Sequence, residues 1–374
     1  MQKLSQATIQ TGKKIGIDCR IFSSKFTGLG RYTHELVEHF IELNSRLKNP
    51  YELILFFNDP EYKSFKLRPH VSKILVNAKH YSLSEQTTFL KKLLKEKLDL
   101  MFFPHFNVPI LYNRPFVVTI HDLILNYFPG RKMTKFHHRL GYNLTIKHAL
   151  KKSKKIISVS ENTKADILKF FKIPKQKISV IYNGLSPEFK PSKNQTKKPF
   201  LLYTGVWRNH KNLPRLIEAF DILQQKIPEL KLIITGKEDP FYPEVRKTIK
   251  SLKLQDKIIT PGLVDEKELL KLYQEAAIYV FPSLYEGFGL PPLEAMSCAT
   301  PVAASNTSSI PEIAGKNNAV YFDPYNVQDI ADKIYKLYAN KNLSAELVKN
   351  GLEHVKNFSW EKTAKETFKL LTDV

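Results

Sequence analysis

Short apolar runs rich in β-branched residues recur along the chain, and segments with the spacing of an amphipathic helix separate them. This alternation predicts repeated β-α-β units and therefore parallel sheets. The predicted strands span residues 14–20, 52–57, 98–104, 116–121, 155–160, 178–182, 200–205, 231–236, 258–263, 277–282, 301–304 and 319–322. The clearest predicted helices span residues 31–44, 163–171, 213–226 and 266–275.

A polar segment containing three prolines separates the predicted strands into two halves. Residues 187–199 offer little that a core could bury, so we interpret them as a linker between residues 1–186 and residues 200–374. The predicted fold class is α/β, with two Rossmann-like, doubly wound parallel-sheet domains facing each other. Because ligands bind beyond the carboxyl ends of the strands in such sheets, we expect the active site in the interdomain cleft.

Charge is distributed unevenly between these halves. Residues 1–190 contain 33 basic and 14 acidic side chains, whereas the remaining residues contain 25 and 22. The excess is densest over residues 131–160, including Arg131, Lys132 and Lys135, where no acidic residue occurs. Such a surface attracts polyanions, which means either an anionic lipid leaflet or a nucleic acid. The basic run 151–155 lacks the interleaved aromatic residues of single-strand binding proteins, which argues against nucleic acid.

The sequence also bears on location. Its longest apolar runs stop after about five residues, well short of the roughly 18 that span a bilayer. Residues 1–14 lack the apolar stretch of a secretion signal, and Cys19 and Cys298 fit no metal-ligand spacing, which favours a reducing compartment. We therefore expect a cytoplasmic protein.

Residues 133–152 predict a helix that lies on the anionic inner face of the cytoplasmic membrane. Lysine, arginine and histidine residues surround its apolar positions. The alternative is a core helix with a solvated basic face. The apolar positions are Phe136, Leu140, Leu144 and Ile146.

The largest group of candidate functional residues lies in residues 281–296, FPSLYEGFGLPPLEAM. A predicted strand enters a glycine-containing loop, and Pro291 and Pro292 suit the first turn of a helix. Where the loop joins this helix, free backbone N–H groups would face the cleft together with the positive end of the helix dipole. Such an arrangement binds phosphate. These groups surround Phe288, Gly289 and Leu290.

Two carboxylates accompany this phosphate site, Glu286 on the loop and Glu294 about one turn inside the helix. Acidic groups beside a phosphate are unfavourable unless they accept hydrogen bonds from hydroxyls, which a sugar and a ribose would supply. Helix capping or simple solvation is the alternative for Glu294.

Two further features are candidates for the cleft. Arg208 and Lys211 follow the strand at 200–205 and could neutralise charge on a departing diphosphate, although such cations are often merely solvated. His121 ends the strand at 116–121 and precedes Asp122. This pair suits a base with its orienting carboxylate or, as we prefer, a contact to a sugar hydroxyl or acceptor.

Gly28 and Gly30 follow the first strand and precede a helix, so their backbone could approach a phosphate or sugar closely. A tight turn would explain them equally well.

Several of these segments resemble the motifs of family 4 retaining glycosyltransferases of the GT-B fold, particularly those of bacterial mannosyltransferases. The resemblance covers almost the whole chain, and the E-x7-E pattern from Glu286 to Glu294 is part of it. One departure is Val206, because many relatives have an arginine directly after the glycine equivalent to Gly205. The motifs are GIDCRIF, TGLGRYTHEL, TIHDL, SVSENTKADI, VIYNGLSPEF, YTGVWRNHKNLPRLIEAF, EGFGLPPLEAMSCATPV and SSIPEIAG.

The resemblance implies an acceptor-binding first domain, a nucleotide-sugar-binding second domain and a last helix that packs back on the first. It implies that Glu294 binds ribose, while Glu286 and the following backbone hold the transferred sugar and the diphosphate. The candidate catalytic residues are Glu286, Arg208, Lys211 and His121. The candidate donor-binding residues are Glu294, Gly287, Phe288, Gly289, Leu290, Gly205, Gly28 and Gly30.

The implied activity is transfer of a hexose from a nucleotide diphosphate sugar to a hydroxyl of a lipid-linked glycan in cell-surface polysaccharide synthesis. Retention in the family is usually described as front-face attack, in which a donor phosphate oxygen takes the acceptor proton. The HDL and HKNL contexts favour GDP-mannose, with a UDP-sugar next, and no cofactor. The sequence contains no Asp-x-Asp, so we expect metal independence. The alternatives are a non-enzymatic nucleic-acid binding protein and a GT-B phosphorylase or synthase with a small acceptor.

Overall fold

The computed structural model describes residues 12–23, 28–130, 136–193 and 196–374. Within these ranges, seven parallel strands form one sheet and six form a second. The predicted α/β class with two doubly wound sheets is therefore confirmed. Parts of four predictions lie outside the described residues: most of the segment examined for a secretion signal, the basic residues 131–135, the start of the helix expected at 133–152, and residues 194–195 of the linker.

The first sheet has the strand order β3-β2-β1-β4-β5-β6-β7. Its central strands are almost continuously apolar, as expected for strands covered by helices on both faces. The strands are β1 (Lys14–Asp18), β2 (Glu52–Phe57), β3 (Val71–Leu75), β4 (Leu100–Phe103), β5 (Phe116–Ile120), β6 (Lys155–Ser158) and β7 (Ile178–Val180). The helices are α1 (Gly28–Ser45), α2 (Glu61–Ser64), α3 (Leu90–Lys95), α4 (Ile124–Tyr127), α5 (Phe136–Lys152) and α6 (Glu161–Phe170).

The second sheet has the order β10-β9-β8-β11-β12-β13. Its strands are β8 (Lys198–Thr204), β9 (Lys231–Thr235), β10 (Ile258–Gly262), β11 (Ala276–Phe281), β12 (Val302–Ser305) and β13 (Val320–Phe322). Its helices are α7 (Leu213–Lys226), α8 (Glu244–Ser251), α9 (Glu266–Glu275), α10 (Leu290–Ser297), α11 (Ile310–Ala314), α12 (Val327–Ala339) and α13 (Lys341–His354). The chain ends with α14 (Trp360–Thr372).

The last helix, α14, packs on the first domain. Trp360, Ala364 and Phe368 recur at four-residue spacing and join the core beneath α1, where the Phe368 and Phe40 rings lie 5.4 Å apart. The crossing point permits no side chain at Gly184, because an added Cβ would lie 2.2 Å from the Trp360 backbone nitrogen. The second domain is thus attached to the first twice, through the connecting segment and through α14.

The structure corrects three local predictions. Strand β3 was not predicted, because it lies at the sheet edge and only Val71 of its residues is buried, so its apolar signal is weak. Helix α1 begins at Gly28, three residues before the predicted start. Strand β8 begins at Lys198, inside the predicted linker, and Phe189 of that linker packs on the second core, with its ring 5.7 Å from that of Tyr273.

Candidate functional site

The strand order reverses between β1 and β4 in the first sheet and between β8 and β11 in the second. Ligands bind open parallel sheets at such switch points, beyond the carboxyl ends of the strands. The loop after β8 carries Arg208 and Lys211, and the loop after β11 carries Glu286. The predicted basic pair and the predicted loop carboxylate therefore converge at one switch point.

The loop after β11 enters α10 through Gly289, whose φ of +100° is a left-handed conformation that favours glycine. Proline occupies the first turn of α10, as predicted. The Phe288 side chain is buried among the rings of Tyr182 and Phe358, so this residue presents its backbone rather than its ring to the cleft. The Ser309 hydroxyl lies 3.0 Å from the Glu286 carbonyl and 2.8 Å from the Phe288 carbonyl, which holds the loop in place.

Lys211 and Glu286 form the central ion pair of the site. Lys211 Nζ donates to Glu286 Oε1 at 2.6 Å, and both side chains are largely buried. Arg208 is more exposed, and its Nε lies 4.0 Å from Asp239 Oδ2. The predicted basic pair therefore has two different settings, with Lys211 held inside the cleft and Arg208 at its rim.

Glu294 is buried on α10 and accepts a hydrogen bond from the Tyr273 hydroxyl at 2.8 Å. Burial raises the pKa of Glu294, while the Tyr273 hydrogen bond and the charge of Arg31 lower it. The other carboxylate oxygen, Oε1, lies 3.8 Å from Arg31 NH1. Tyr273 therefore orients the carboxylate, and Oε1 faces the charged side of the cleft.

Replacing Glu294 with alanine is expected to weaken nucleotide binding by about 1–3 kcal/mol, because the ribose hydroxyls would lose their buried acceptor. Isothermal titration with the nucleoside diphosphate measures this loss. A Tyr273→Phe variant should show a smaller loss of the same kind. Glu268→Ala, on the exposed face of neighbouring α9, is the matched control and should bind like wild type. Equal affinities of the Glu294→Ala and control variants would refute the role of Glu294.

His121 follows β5, and its Nε2 lies 2.8 Å from the Pro104 carbonyl. Because a carbonyl only accepts, Nε2 carries the proton and Nδ1 of the neutral ring is an acceptor. Burial lowers the pKa of His121 to about 4, so the ring is neutral near pH 7. The Asp122 carboxylate accepts a hydrogen bond from the Ile124 N–H at 3.0 Å. A neutral, carbonyl-oriented imidazole suits a hydroxyl contact better than proton abstraction.

The predicted glycines have different settings. Gly205 lies directly after β8 with a φ of +146°, and its carbonyl lies against Gly236, where an added Cβ would approach it to 2.0 Å. Gly28 and Gly30 lie inside the first turn of α1, which corrects the prediction that they precede a helix. They therefore belong to a helix amino terminus, and their donor-binding role stays a prediction.

Gly287 is part of an interdomain contact that the sequence did not predict as such. Its carbonyl accepts hydrogen bonds from the Ser160 hydroxyl at 2.6 Å and the Thr163 hydroxyl at 3.1 Å, both at the start of α6. One turn further along α6, Asp166 Oδ2 accepts from the Tyr285 hydroxyl at 2.6 Å. One face of α6 therefore binds the loop that carries Glu286. Ser160 and Thr163 belong to the SVSENT motif, the sequence signal for this contact.

Glu312 of α11 completes this contact from the second domain. Its carboxylate accepts the backbone N–H groups of Glu161 and Asn162 at 2.7 and 3.0 Å, at the amino terminus of α6. A carboxylate there is stabilised by the helix dipole. The SSIPEIAG motif contains this residue, although its partner could not be inferred from the sequence.

Arg31 was also missed. It extends from the first turn of α1 to the second domain, where its NH2 lies 2.8 Å from Glu266 Oε1. It also faces Glu294, so it places a positive charge of the first domain beside the proposed ribose site. The TGLGR motif was the available signal.

Two family sequence models together cover most of the chain. The model described as Glycosyltransferase Family 4 matches residues 26–189, and the model described as Glycosyl transferases group 1 matches residues 186–354. The Escherichia coli O-antigen chain mannosyltransferase B is 30% identical over 290 residues, covering 72% of this chain and 73% of that protein. The chain belongs to the family 4 glycosyltransferases. The predicted family is thus confirmed.

A second relative is also an O-antigen mannosyltransferase. The O-antigen chain mannosyltransferase RfbU of Salmonella typhimurium is 31% identical over 220 residues. The match covers 59% of this chain and 59% of the Salmonella protein.

Solved structures confirm the two-domain GT-B fold of this glycosyltransferase. Sucrose-phosphate synthase from Thermosynechococcus elongatus superposes with a TM-score of 0.78 at 20% identity, over 96% of this chain and 98% of that one. Anabaena HepE, in complex with UDP and glucose, superposes with a TM-score of 0.72 at 17% identity, over 97% of this chain and all of that one. At these identities the similarity concerns the fold.

Proposed function

We propose that this protein transfers a hexose, with mannose favoured, from a nucleotide diphosphate sugar to a hydroxyl of a lipid-linked or oligosaccharide acceptor. The observation that carries the proposal is the convergence of Lys211, Glu286, Glu294 and the start of α10 at one switch point. The mannosyltransferase relatives support mannose, and the UDP and glucose bound by HepE support a nucleotide-sugar donor. We favour GDP-mannose, then a UDP-sugar, with no further cofactor.

The charges of the site suit departure of a nucleoside diphosphate. Lys211 is already oriented by Glu286, so it can contact the diphosphate with little reorganisation. The backbone N–H groups at the start of α10 add the positive end of a helix dipole. With neutral His121 as a hydroxyl contact, a donor phosphate oxygen would take the acceptor proton. The acceptor oxygen would then bond to the anomeric carbon on the face from which the nucleoside diphosphate departs, and this front-face attack would retain the configuration of the transferred sugar.

A thermal-shift screen against GDP-, UDP-, ADP- and dTDP-sugars tests the proposal directly. A ligand that binds the native state stabilises it by an amount set by its concentration relative to its dissociation constant. We expect GDP-mannose to give the largest shift, and NMR of the product to show the retained anomer. If none of the four nucleotide-sugar classes shifts the transition, the proposed function is wrong.

Activity is expected to survive EDTA, because Lys211, Arg208 and α10 supply the positive charge that a metal ion would otherwise bring to the diphosphate. The measurement compares initial rates with and without chelator at saturating donor. Loss of activity with EDTA, followed by rescue with Mn²⁺ or Mg²⁺, would contradict metal independence.

The membrane contact is proposed for the outer face of α5. None of the helices in the described part of the chain has the length and apolar content needed to cross a bilayer. Ile146 is fully buried in the first core, which corrects its predicted place on the leaflet. Leu140 and Leu144 are 46% and 49% exposed, and Lys147 and Lys151 continue the same face of the helix. These four residues form a membrane stripe, and we propose that it holds the protein at the inner face of the cytoplasmic membrane.

Changing Lys147, Lys151 and Lys152 to glutamate is expected to abolish binding to anionic vesicles, because each cation near such a surface contributes about 1 kcal/mol. Vesicle sedimentation at low salt measures binding. Transfer to a soluble acceptor should be unchanged. The matched control changes three exposed lysines on or just after α8, Lys247, Lys250 and Lys253, to glutamate. Equal vesicle binding by both triple variants would place the membrane contact elsewhere, and no binding by wild type would remove it.

A further inference from the structure

A row of aromatic rings connects α5 with the cleft at His121. The Tyr142 ring on α5 lies 5.5 Å from Phe106, and Phe106 lies 4.3 Å from His105. The His105 ring in turn stacks 6.5 Å from His121. Tyr81, in the loop after β3, lies beside this row, 6.2 Å from Phe106 and 6.3 Å from His105. The row starts on the helix that carries the proposed membrane stripe and ends at the proposed hydroxyl contact.

Tyr81 is the accessible member of this group. It is 70% exposed although its ring lies beside three other rings. Its φ of +59° is a left-handed conformation, which a bulky side chain adopts only at a cost, and residues in such conformations concentrate at ligand-binding sites. The hydrophobic effect does not account for an exposed ring held at this cost. A ligand that covers the ring would account for it.

Polar groups lie directly beside Tyr81. Neither ring nitrogen of His80 finds a hydrogen-bond partner in the described part of the chain, although Nδ1 is 3.4 Å from Glu85 Oε2. Arg20 holds that carboxylate in place, because its buried guanidinium pairs with both Glu85 and Asp18. Both nitrogens are closed to solvent, so a ligand hydroxyl would reach them only after a shift of the His80 ring, and pairing would then remove the cost of leaving them unsatisfied.

We propose that Tyr81 and His80, with the rings of His105 and Phe106 behind them, form the binding subsite for the acceptor glycan. The inference rests on the proposed function. A pyranose ring has an apolar C–H face that stacks on the electron-rich face of an aromatic ring, and hydroxyls at its rim that require polar partners. The loop after β3 offers an aromatic face, that of Tyr81, and a polar partner, the ring of His80. Because the row of rings extends from His121 towards α5, the sugar next to the attacking hydroxyl lies near Tyr81 and the lipid end points to α5.

The test measures acceptor recognition separately from donor chemistry. The probe is the methyl glycoside of an α-linked mannotriose. Saturation-transfer NMR detects its binding, and initial rates with the nucleotide sugar that stabilises the protein give its KM as acceptor. We expect Tyr81→Ala to raise the KM for the glycan at least about tenfold, equivalent to roughly 1.4 kcal/mol, and Tyr81→Trp to restore it. The control is Leu83→Ala, two residues further in the same loop and 84% exposed, which should behave like wild type.

Hydrolysis of the donor without acceptor is the second readout, and it should be the same in wild type and in Tyr81→Ala. An unchanged glycan KM in Tyr81→Ala, with donor hydrolysis intact, would overturn the subsite and leave the proposed function standing. An equal loss in Leu83→Ala would overturn it as well, and so would the absence of saturation transfer from wild type to the glycan. If wild type neither binds nor hydrolyses any nucleotide sugar, the proposed function itself fails.

Discussion

Lys211→Ala is expected to lower kcat by about a hundredfold to a thousandfold, with a much smaller change in the KM for the donor. In the proposed role, the interaction of Lys211 with the diphosphate would strengthen as the bond between the sugar and the diphosphate breaks and negative charge accumulates on the leaving group. Its ion pair with Glu286 keeps the ammonium in place before the donor arrives. Steady-state kinetics with the preferred nucleotide sugar, at saturating acceptor, separates the two parameters.

The matched control for Lys211 is Lys198→Ala. Lys198 forms an ion pair of similar length, 2.7 Å, with Glu275, but at the start of β8 and therefore at the opposite end of the strand from the cleft. The Lys198→Ala substitution should leave kcat and the KM for the donor unchanged. Glu286→Gln keeps the shape of the loop residue and removes its charge, and should also act mainly on kcat. A Lys211→Ala variant that changes only the donor KM would contradict the leaving-group role.

Gly287→Ala is expected to reduce turnover by about a hundredfold or more, because misplacement of reacting groups by about 1 Å has that effect. An added Cβ would lie 1.8 Å from the His121 carbonyl oxygen and 2.8 Å from Asp122 Cβ, both in the opposite domain. Those atoms belong to backbone or lie close to it, so the domains must separate. Kinetics measures the loss of turnover, and small-angle scattering should show a larger radius of gyration.

The control for Gly287 is Gly141→Ala on α5, where an added Cβ meets no other atom within 4 Å. It should retain wild-type kinetics with a soluble acceptor. The Gly287→Ala variant should still unfold cooperatively, because the contact joins two domains that each have their own core. Full activity in Gly287→Ala would show that the contact between this loop and His121 is not needed for turnover.

The elements that the sequence predicted best are those whose signal is local. Helices α7 and α9 have the predicted bounds, because each combines a regular apolar spacing with defined ends. The central strands were recognisable because burial on both faces makes them continuously apolar. Strand β3 was not predicted because an edge strand needs fewer apolar residues. The early start of α1 was not predicted because its first turn begins with Gly-Leu-Gly.

The sequence by itself determined the α/β class, the family and the motifs that surround the cleft. All three depend on local patterns, and the chemistry of a short motif can be interpreted from its own residues. The catalytic and donor-binding roles of these residues stay predictions. Only the tertiary structure decided which groups meet across the cleft. Glu312 reaches the start of α6 and Arg31 faces Glu294. Within the first domain, the tertiary structure likewise brings Tyr81 beside His105. Such partners lie far apart in the chain, so the packing of whole helices and sheets, rather than any local pattern, brings them together.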